Sequence, residues 1–118
     1  MRIKLLKIKS DFSDGEQGFN FFIGPGQYEK RISELIVPET IFEQIYEKAQ
    51  KLKLNNLAKL QYHGGVGFEY DQIKPIILEL TILEKQFIDK KTLKYLNHIK
   101  ELCVEALNKK LHFHVIGL

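Results

Sequence analysis

The sequence contains a single cysteine, Cys103, and no tryptophan among its 118 residues. One cysteine excludes an internal disulfide and a zinc site built from several cysteines. Because disulfides persist in oxidising compartments, a chain without one is typical of the reducing cytoplasm. Apolar runs are also short: the longest, Ile76–Leu83, is interrupted by Glu79, whereas spanning a bilayer takes roughly 20 apolar residues. We therefore expect a soluble, cytoplasmic protein without a membrane partner.

A strong charge of either sign is missing as well. The net charge is +3, which is too small to predict nucleic-acid binding by itself. The first ten residues, MRIKLLKIKS, interleave basic and apolar side chains and so lack the apolar core of a signal peptide. The composition, 44% hydrophobic and 28% charged, is that of a globular chain. The length is enough for one buried core, and we predict one domain over residues 1–118.

Three segments in the first third of the sequence have the pattern of β-strands. Met1–Lys9 has apolar residues on both faces, as a strand buried on both sides does. Phe19–Ile23 is aromatic, and Glu29–Val37 adds aliphatic bulk. Because Asp14-Gly15 is a turn signal, the simplest pairing is an antiparallel hairpin of the first two strands around a long acidic loop.

Two later segments have the apolar periodicity of helices that pack on a core. The first is Glu39–Leu54, which follows Pro38, a residue type that the start of a helix tolerates. The second is Lys90–Lys110, and Asp89 is placed to cap it. A short apolar strand, His112–Leu118, ends the chain.

The segment 71–88 fits two patterns. Its apolar residues recur at spacings of three and four, as in a helix, but several of them also alternate, as in a strand: Ile76, Leu78, Leu80 and Ile82. The periodicity persists beyond ten residues, which favours a helix. Since proline is tolerated only in the first turn, Pro75 indicates that this helix begins near Lys74. The predicted fold is α+β, with a mostly antiparallel sheet packed against two or three helices.

The stretch YHGGVGFEYD, which is Tyr62–Asp71, concentrates glycine and aromatic residues. A phosphate-binding loop of the Walker type requires Lys and Ser or Thr after its last glycine, whereas Phe68 and Glu69 follow Gly67 here. The two acids, Glu69 and Asp71, would also repel a phosphate. We predict a glycine-rich turn between structured segments, with exposed tyrosines available to a protein partner.

Acidic residues are concentrated in an early loop that includes Asp11, Asp14 and Glu16. An EF-hand calcium loop with its glycine at Gly15 would need a ligand at Phe12, and a phenyl ring is not a ligand. We therefore predict a solvated acidic loop that offers a contact patch to a basic partner.

Few other residues have side chains suited to a metal-binding or catalytic site. His112 and His114 share one face of the last strand, but a metal needs a third ligand, so we predict no metal there and no cofactor. Glu79 lies inside an apolar run, and we expect it on the exposed side of an amphipathic helix rather than as a buried general acid or base. Cys103 is expected to be a small buried residue and not a nucleophile. No catalytic residue is predicted.

These observations favour a protein that binds another protein and is not an enzyme. The most concrete version is an immunity-type inhibitor in a bacterial cytoplasm, which neutralises a toxin domain encoded nearby. The positive net charge counts against a basic nuclease as the target of this inhibitor, unless the acidic loop is the contact surface. Two alternatives stay open: a small enzyme or ligand-binding protein that uses Glu79, His63 and the C-terminal histidines, and a nucleic-acid-binding regulator that uses Lys90–Lys110. The predicted partner-binding residues are Asp11, Asp14, Glu16, Tyr62, His63, Phe68, Glu69 and Tyr70.

Overall fold

Five strands and three helices form from residues 4–26 and 30–117, which are the residues that the structure, a computed structural model, describes. Their order along the chain is β1 (Lys4–Leu6), β2 (Gly18–Gly24), β3 (Ser33–Pro38), α1 (Glu39–Leu52), β4 (Gly65–Phe68), α2 (Ile73–Glu84), α3 (Lys90–Lys109) and β5 (His112–Gly117). The strands form one sheet in the order β1-β3-β2-β5-β4, in which the β1–β3 pair is parallel and the other pairs are antiparallel. The predicted α+β fold with a mostly antiparallel sheet is confirmed.

All three described helices pack on one face of the sheet, and the core lies between the two layers. Alternate residues of the central strands, such as Phe19, Phe21 and Phe113, point into this layer and are buried. They form one continuous apolar cluster with the buried stripes of α1, α2 and α3. Because burial of apolar area is the main driving force of folding, this layer holds the domain together. The opposite face, called the outer face below, has no helix on it among the described residues.

The predicted helix Glu39–Leu54 is confirmed as α1, which ends two residues earlier. Its buried stripe consists of Ile41, Phe42, Ile45 and Ala49. Pro38 occupies the N-cap position and makes no side-chain hydrogen bond there. The Glu16 carboxylate supplies the cap instead, because its Oε2 accepts hydrogen bonds from the backbone N and the Oγ1 of Thr40, each at 2.8 Å. A carboxylate at the positive end of a helix dipole stabilises the helix.

The helical alternative for residues 74–88 is confirmed by α2, in which Pro75 lies in the first turn. Four of its residues at spacings of three and four are fully buried: Ile73, Ile76, Leu80 and Leu83. The predicted second helix is confirmed by α3, where the Asp89 side chain accepts a hydrogen bond from the backbone N of Thr92 at 3.0 Å. Cys103 is buried as expected, and burial raises the pKa of its thiol. Within the described ranges, no helix combines the length and apolar character required to cross a membrane.

The predicted hairpin of the first two strands is wrong. The described part of β1 pairs with β3, while β2 has β3 on one side and β5 on the other. β3 and β5 flank β2 with six residues each, and β1 lies at the edge of the described sheet. Leu5 is 60% exposed there, which contradicts the expectation of a strand buried on both faces. Residues 1–3, Glu29 and Leu118 of the predicted strands lie outside the described residues.

Candidate functional site

The glycine-rich stretch Tyr62–Asp71 contains a strand, so the prediction that it is only a turn is wrong. β4 lies within it and pairs antiparallel with β5 at the edge of the sheet. Glycine is depleted in strands, which is why the pattern indicated a turn. Gly64, just before β4, has the positive φ of 76° that favours glycine, whereas Gly65 and Gly67 lie within the strand and require another explanation.

The free edge of β4 presents backbone groups to solvent. The backbone N of Gly117 donates a hydrogen bond to the carbonyl O of Gly64 at 2.9 Å. In an antiparallel ladder the hydrogen-bonded pairs alternate, so Gly65 and Gly67 fall between them and direct their N–H and C=O groups away from β5. Both glycines are exposed, and no other described strand pairs with this side of β4.

Behind this edge, His114 of β5 is buried without a hydrogen-bond partner. It is 7% exposed, and neither Nδ1 nor Nε2 is bonded to any residue that the structure describes. Its ring stacks on Phe22 of β2, with 5.1 Å between the ring centroids. On the other flank, in β4, a Cβ atom at Gly67 would come within 2.8 Å of Nδ1. The sheet therefore needs glycine at position 67 because the imidazole occupies the space of a side chain.

The surroundings of His114 favour the neutral imidazole. Burial lowers the pKa of His114 below its ordinary value of 6.5. The neighbouring His112 and Arg31 lower the pKa further, whereas Glu69 acts in the opposite direction. The Arg31 guanidinium stands 4.1 Å from the centroid of the Phe22 ring, so it approaches the imidazole from the far side of that ring. At neutral pH the buried ring has one nitrogen that donates and one that accepts a hydrogen bond.

His112, which shares the outer face with His114, is fixed by a backbone group. The backbone N of Tyr70 donates to Nδ1 of His112 at 2.9 Å, so the proton of neutral His112 lies on Nε2. Neither nitrogen then has a free lone pair for a metal, which argues against a metal site built on the two histidines. No cluster of three or more metal-ligating side chains occurs among the described residues, and the absence of a bound metal stays a prediction.

A cleft of about 480 Å³ lies over the two histidines, at the end of β4. It is lined by Pro25, Gly26, Gly67, Phe68, Glu69, His112 and His114. The Glu69 carboxylate is exposed at its rim, with Oε2 3.5 Å from Nδ1 of His112. The cleft therefore has a floor that includes two imidazoles and has one acidic residue at its entrance.

The acidic loop is only partly available to a partner. Oδ2 of Asp11 accepts hydrogen bonds from Nζ of Lys94 at 2.6 Å and from the Tyr95 hydroxyl at 2.8 Å. The bond to Lys94 holds the pKa of Asp11 below its ordinary value. Glu16 is engaged at the start of α1, and Asp14 is exposed. Two of the three predicted contact acids thus have structural partners that the linear sequence did not indicate.

Tyr62 anchors the chain just before β4 in an aromatic cluster on α1. Its ring lies edge-on to Phe42 and Tyr46, with centroid distances of 5.4 and 5.0 Å. Burial raises the pKa of the Tyr62 hydroxyl, and three nearby carboxylates of α1 raise it further: Glu43, Glu47 and Glu39. These acids recur every four residues and form an acidic stripe (Glu39, Glu43, Glu47) near Tyr62, which precedes β4. Their spacing in the sequence already puts them on one helix face.

The residues that follow the acidic loop lie beside Tyr62 and His63, which precede β4. A cleft of about 350 Å³ there is lined by Gln17, Phe19, Glu39, Tyr62 and His63. His63 is exposed before β4, Glu69 is exposed after it, and Tyr70 is half-buried. Phe68 is buried and stacks on Phe113 at 5.9 Å, so it belongs to the core rather than to a contact surface.

Glu79 is buried, so the expectation of an exposed acid is wrong. Its two oxygens accept hydrogen bonds from the backbone N of Asn56, the backbone N of Leu57 and Nδ2 of Asn56, over distances of 2.8 to 3.2 Å. These bonds tie α2 to the turn that follows α1. The surroundings of Glu79 match those of a structural link.

The helices also leave an apolar surface uncovered. Leu78 and Ile82 of α2 are exposed, and so is Val104 of α3. Ile77, Leu78 and Leu107 contribute to a cleft of about 670 Å³ beside them. Periodicity did not reveal this surface because α2 is apolar on nearly all sides, and only packing decides which side stays exposed.

The basic helix of the nucleic-acid alternative is α3, and part of its charge is already paired. Lys91 and Lys94 both donate to Asp11, and Lys109 pairs with Glu105 at 2.7 Å.

Comparison with protein-family models, curated proteins and solved structures found no match to this chain.

Proposed function

We propose that the protein binds another protein by accepting an extended segment of it as an additional strand beside β4. The observation that carries this proposal is the free edge at Gly65 and Gly67, whose backbone N–H and C=O groups point away from β5. In β-strand addition, main-chain hydrogen bonds of this kind supply affinity, and pockets for alternate side chains supply specificity. The partner-binding stretch predicted from the sequence, Tyr62–Tyr70, includes this edge.

The composition of the two sheet edges supports β4 rather than β1 as the binding edge. Sheets protect their free edges from pairing with lysine, proline, bulges or very short strands. The described part of β1 begins with Lys4 and is followed by Lys7. β4 has the sequence GVGF, which contains neither lysine nor proline, and its two glycines let another backbone approach closely.

The charges at the ends of β4 support a basic partner segment. The acidic stripe of α1 lies near Tyr62, just ahead of the strand, and Glu69 directly follows the end of the strand. Opposite charges across a contact speed association and fix the register of the bound segment. We therefore expect lysine or arginine at both ends of the segment that pairs with β4.

A toxin domain is the partner class that we propose, with the protein acting as an immunity-type inhibitor. This version keeps the acidic contact surface inferred from the sequence but moves it from Asp11 and Glu16, which have internal partners, to the acidic stripe and Glu69. The cytoplasm is the proposed compartment, supported by a single buried cysteine.

Panning a displayed library of linear nine-residue peptides against the intact protein tests the proposal. We expect enriched peptides to have basic ends and to bind more weakly as salt rises, because salt screens exposed charges. Gly65→Pro removes only an outward N–H and no ladder bond, and it should weaken binding about tenfold or more. Leu78→Ser, on the exposed helix surface, is the matched control and should bind as the wild type does.

Three outcomes would contradict the proposal. The first is a library that yields no peptide specific for the wild-type protein. The second is unchanged binding by a folded Gly65→Pro variant, or loss of binding in Leu78→Ser instead, which would move the contact to the helices. The third is a dimer of the free protein that Gly65→Pro dissociates, because a second copy would then be the occupant of the edge.

A further inference from the structure

Among the buried polar residues of the described chain, His114 is the exception. Ser33, Asn56, Glu79 and Thr92 are also buried, and each has a hydrogen-bond partner. His114 has none for either ring nitrogen among the residues that the structure describes. A buried polar group without a partner costs about 1–3 kcal/mol, so each such group in a folded protein calls for an explanation, such as a functional role.

The position of the ring directs it toward the free edge of the sheet. Phe22 covers it on the side of β2, and on the side of β4 no side chain stands next to it at position 67, where a Cβ atom would lie 2.8 Å from Nδ1. Gly67 is also one of the two residues whose backbone groups face outward. Gly67 therefore belongs to the free edge and also lies next to the unpartnered imidazole.

An added strand would bring one side chain to this imidazole. Neighbouring strands are about 4.8 Å apart, so a residue opposite Gly67 that faces the outer face has its Cβ one strand spacing beyond β4. No side chain intervenes, because position 67 is glycine. A side chain of the length of asparagine or glutamine spans the remaining gap to Nδ1 within hydrogen-bond distance.

The chemistry of the cleft selects among polar side chains. The neutral imidazole offers one donor and one acceptor, and His112 adds an Nε2–H donor on the same face. A cation would be disfavoured in a desolvated position that the positive charge of Arg31 already reaches. A carboxylate would meet Glu69 at the entrance. A carboxamide, which is uncharged and both donates and accepts, fits these groups.

We propose that His114 recognises one side chain of the partner segment. Its imidazole forms a hydrogen bond, across Gly67, with an asparagine or glutamine of the strand that pairs with β4. The proposal rests on the proposed function, because the side chain is delivered by the added strand. It adds a determinant of specificity that backbone pairing alone does not provide.

The test compares the peptides enriched by the wild-type protein with those enriched by His114→Phe, which keeps the ring and removes both nitrogens. We expect the wild type to enrich asparagine or glutamine at one fixed position, and His114→Phe to lose that preference while still binding peptides. In a double-mutant cycle, replacing that residue by leucine should weaken binding to the wild type about tenfold and to His114→Phe much less. His98→Phe is the matched control, and its preference should be that of the wild type.

A measurement without peptide separates this proposal from the strand-addition proposal. If the imidazole is unpartnered in the free protein, His114→Phe should melt at the same temperature as the wild type or higher. A fall of more than about 4 °C in its melting temperature would show that the nitrogens have partners already and would overturn the recognition role, even if peptides still pair with β4. The recognition role would also be overturned if peptide binding depends on Gly65 but the wild type and His114→Phe enrich the same residues at every position. A failure of the wild type to enrich any peptide would overturn it too.

Discussion

Glu79 and His114 are both buried ionisable residues, and their surroundings are opposite. Glu79 lies between α2 and the turn after α1, where its oxygens accept hydrogen bonds from two backbone N–H groups and an amide. His114 lies on the outer face of the sheet, where its ring is held by stacking alone and its nitrogens have no partner within the described part of the chain. The first arrangement stabilises the free protein, and the second costs it stability.

The difference separates buried residues whose hydrogen bonds stabilise the fold from buried residues whose hydrogen-bonding groups have no partner in the free protein. Removing one partner of a satisfied buried group leaves the other partners unbonded, which is costly. Removing an unsatisfied group leaves nothing behind. The sign of the stability change on replacement by an apolar side chain therefore distinguishes the two classes, and the predictions below use it.

The largest effect is expected for Glu79→Leu. The variant leaves the backbone N–H groups of Asn56 and Leu57 buried without acceptors, each at a cost of about 1–3 kcal/mol. We expect the free energy of unfolding in urea to fall by about 3 kcal/mol. Glu101→Leu, an exposed glutamate on α3, is the control and should change it by less than about 0.5 kcal/mol. Equal effects of the two substitutions would remove the contrast with His114.

A smaller loss is expected for Gly67→Val, because the new side chain overlaps Nδ1 of His114. Overpacking of this kind costs about 1–3 kcal/mol, which outweighs the better strand propensity of valine. Combining it with His114→Ala should recover a large part of that loss, since the space is then free. The comparison is measured as a coupling energy from urea unfolding of the two single variants and the double variant; additive losses would mean that the ring does not require glycine at this position.

Glu16→Gln should cost about 1 kcal/mol of unfolding free energy, the usual size of a helix cap. Glu16 uses both carboxylate oxygens, one for Ser13 and the other for Thr40, and an amide has only one oxygen. Partial burial opposes ionisation of Glu16, but the hydrogen bonds from Ser13 and Thr40 outweigh it and lower its pKa. Asp14→Asn, in the same loop but exposed, is the control. A loss as large in Asp14→Asn would assign the effect to the charge of the loop rather than to the cap.

The smallest effect concerns pH. Burial lowers the pKa of His114 in the folded protein below 6.5, so the unfolded chain binds the proton more readily. Stability is then full above about pH 6.5 and is lost as the pH falls below this value, until the pH reaches the folded pKa. The groups that face the ring, Arg31, His112 and Glu69, are present in both proteins when the wild type is compared with His114→Phe. We expect the wild type to lose more stability than His114→Phe between about pH 6.5 and 5; parallel curves would show that the ring is not held neutral.

The helices could be predicted because the forces that define them act over short distances in sequence. Hydrogen bonds in a helix close within four residues, so apolar periodicity, Pro38 before α1 and Asp89 before α3 already indicate where helices begin. Phe19–Ile23 was recognised as a strand for a similar reason, since its aromatic residues favour strands wherever they pair. The sequence alone therefore determined the α+β class and the helices α1 and α3, and it favoured a helix over a strand for α2.

Tertiary structure decided which strands pair, which polar residues are buried and which partners they have. β1 pairs with β3 and not with β2 because β3 and β5 occupy the two sides of β2, a competition that no local pattern expresses. β4 forms in a glycine-rich stretch because Gly67 faces His114 across two strands that lie far apart in the sequence. Glu79 and Asp11 were expected to be exposed, yet each meets donors from distant segments. A side chain's partners depend on which segments the core brings together, and that information exists only after the whole chain has packed.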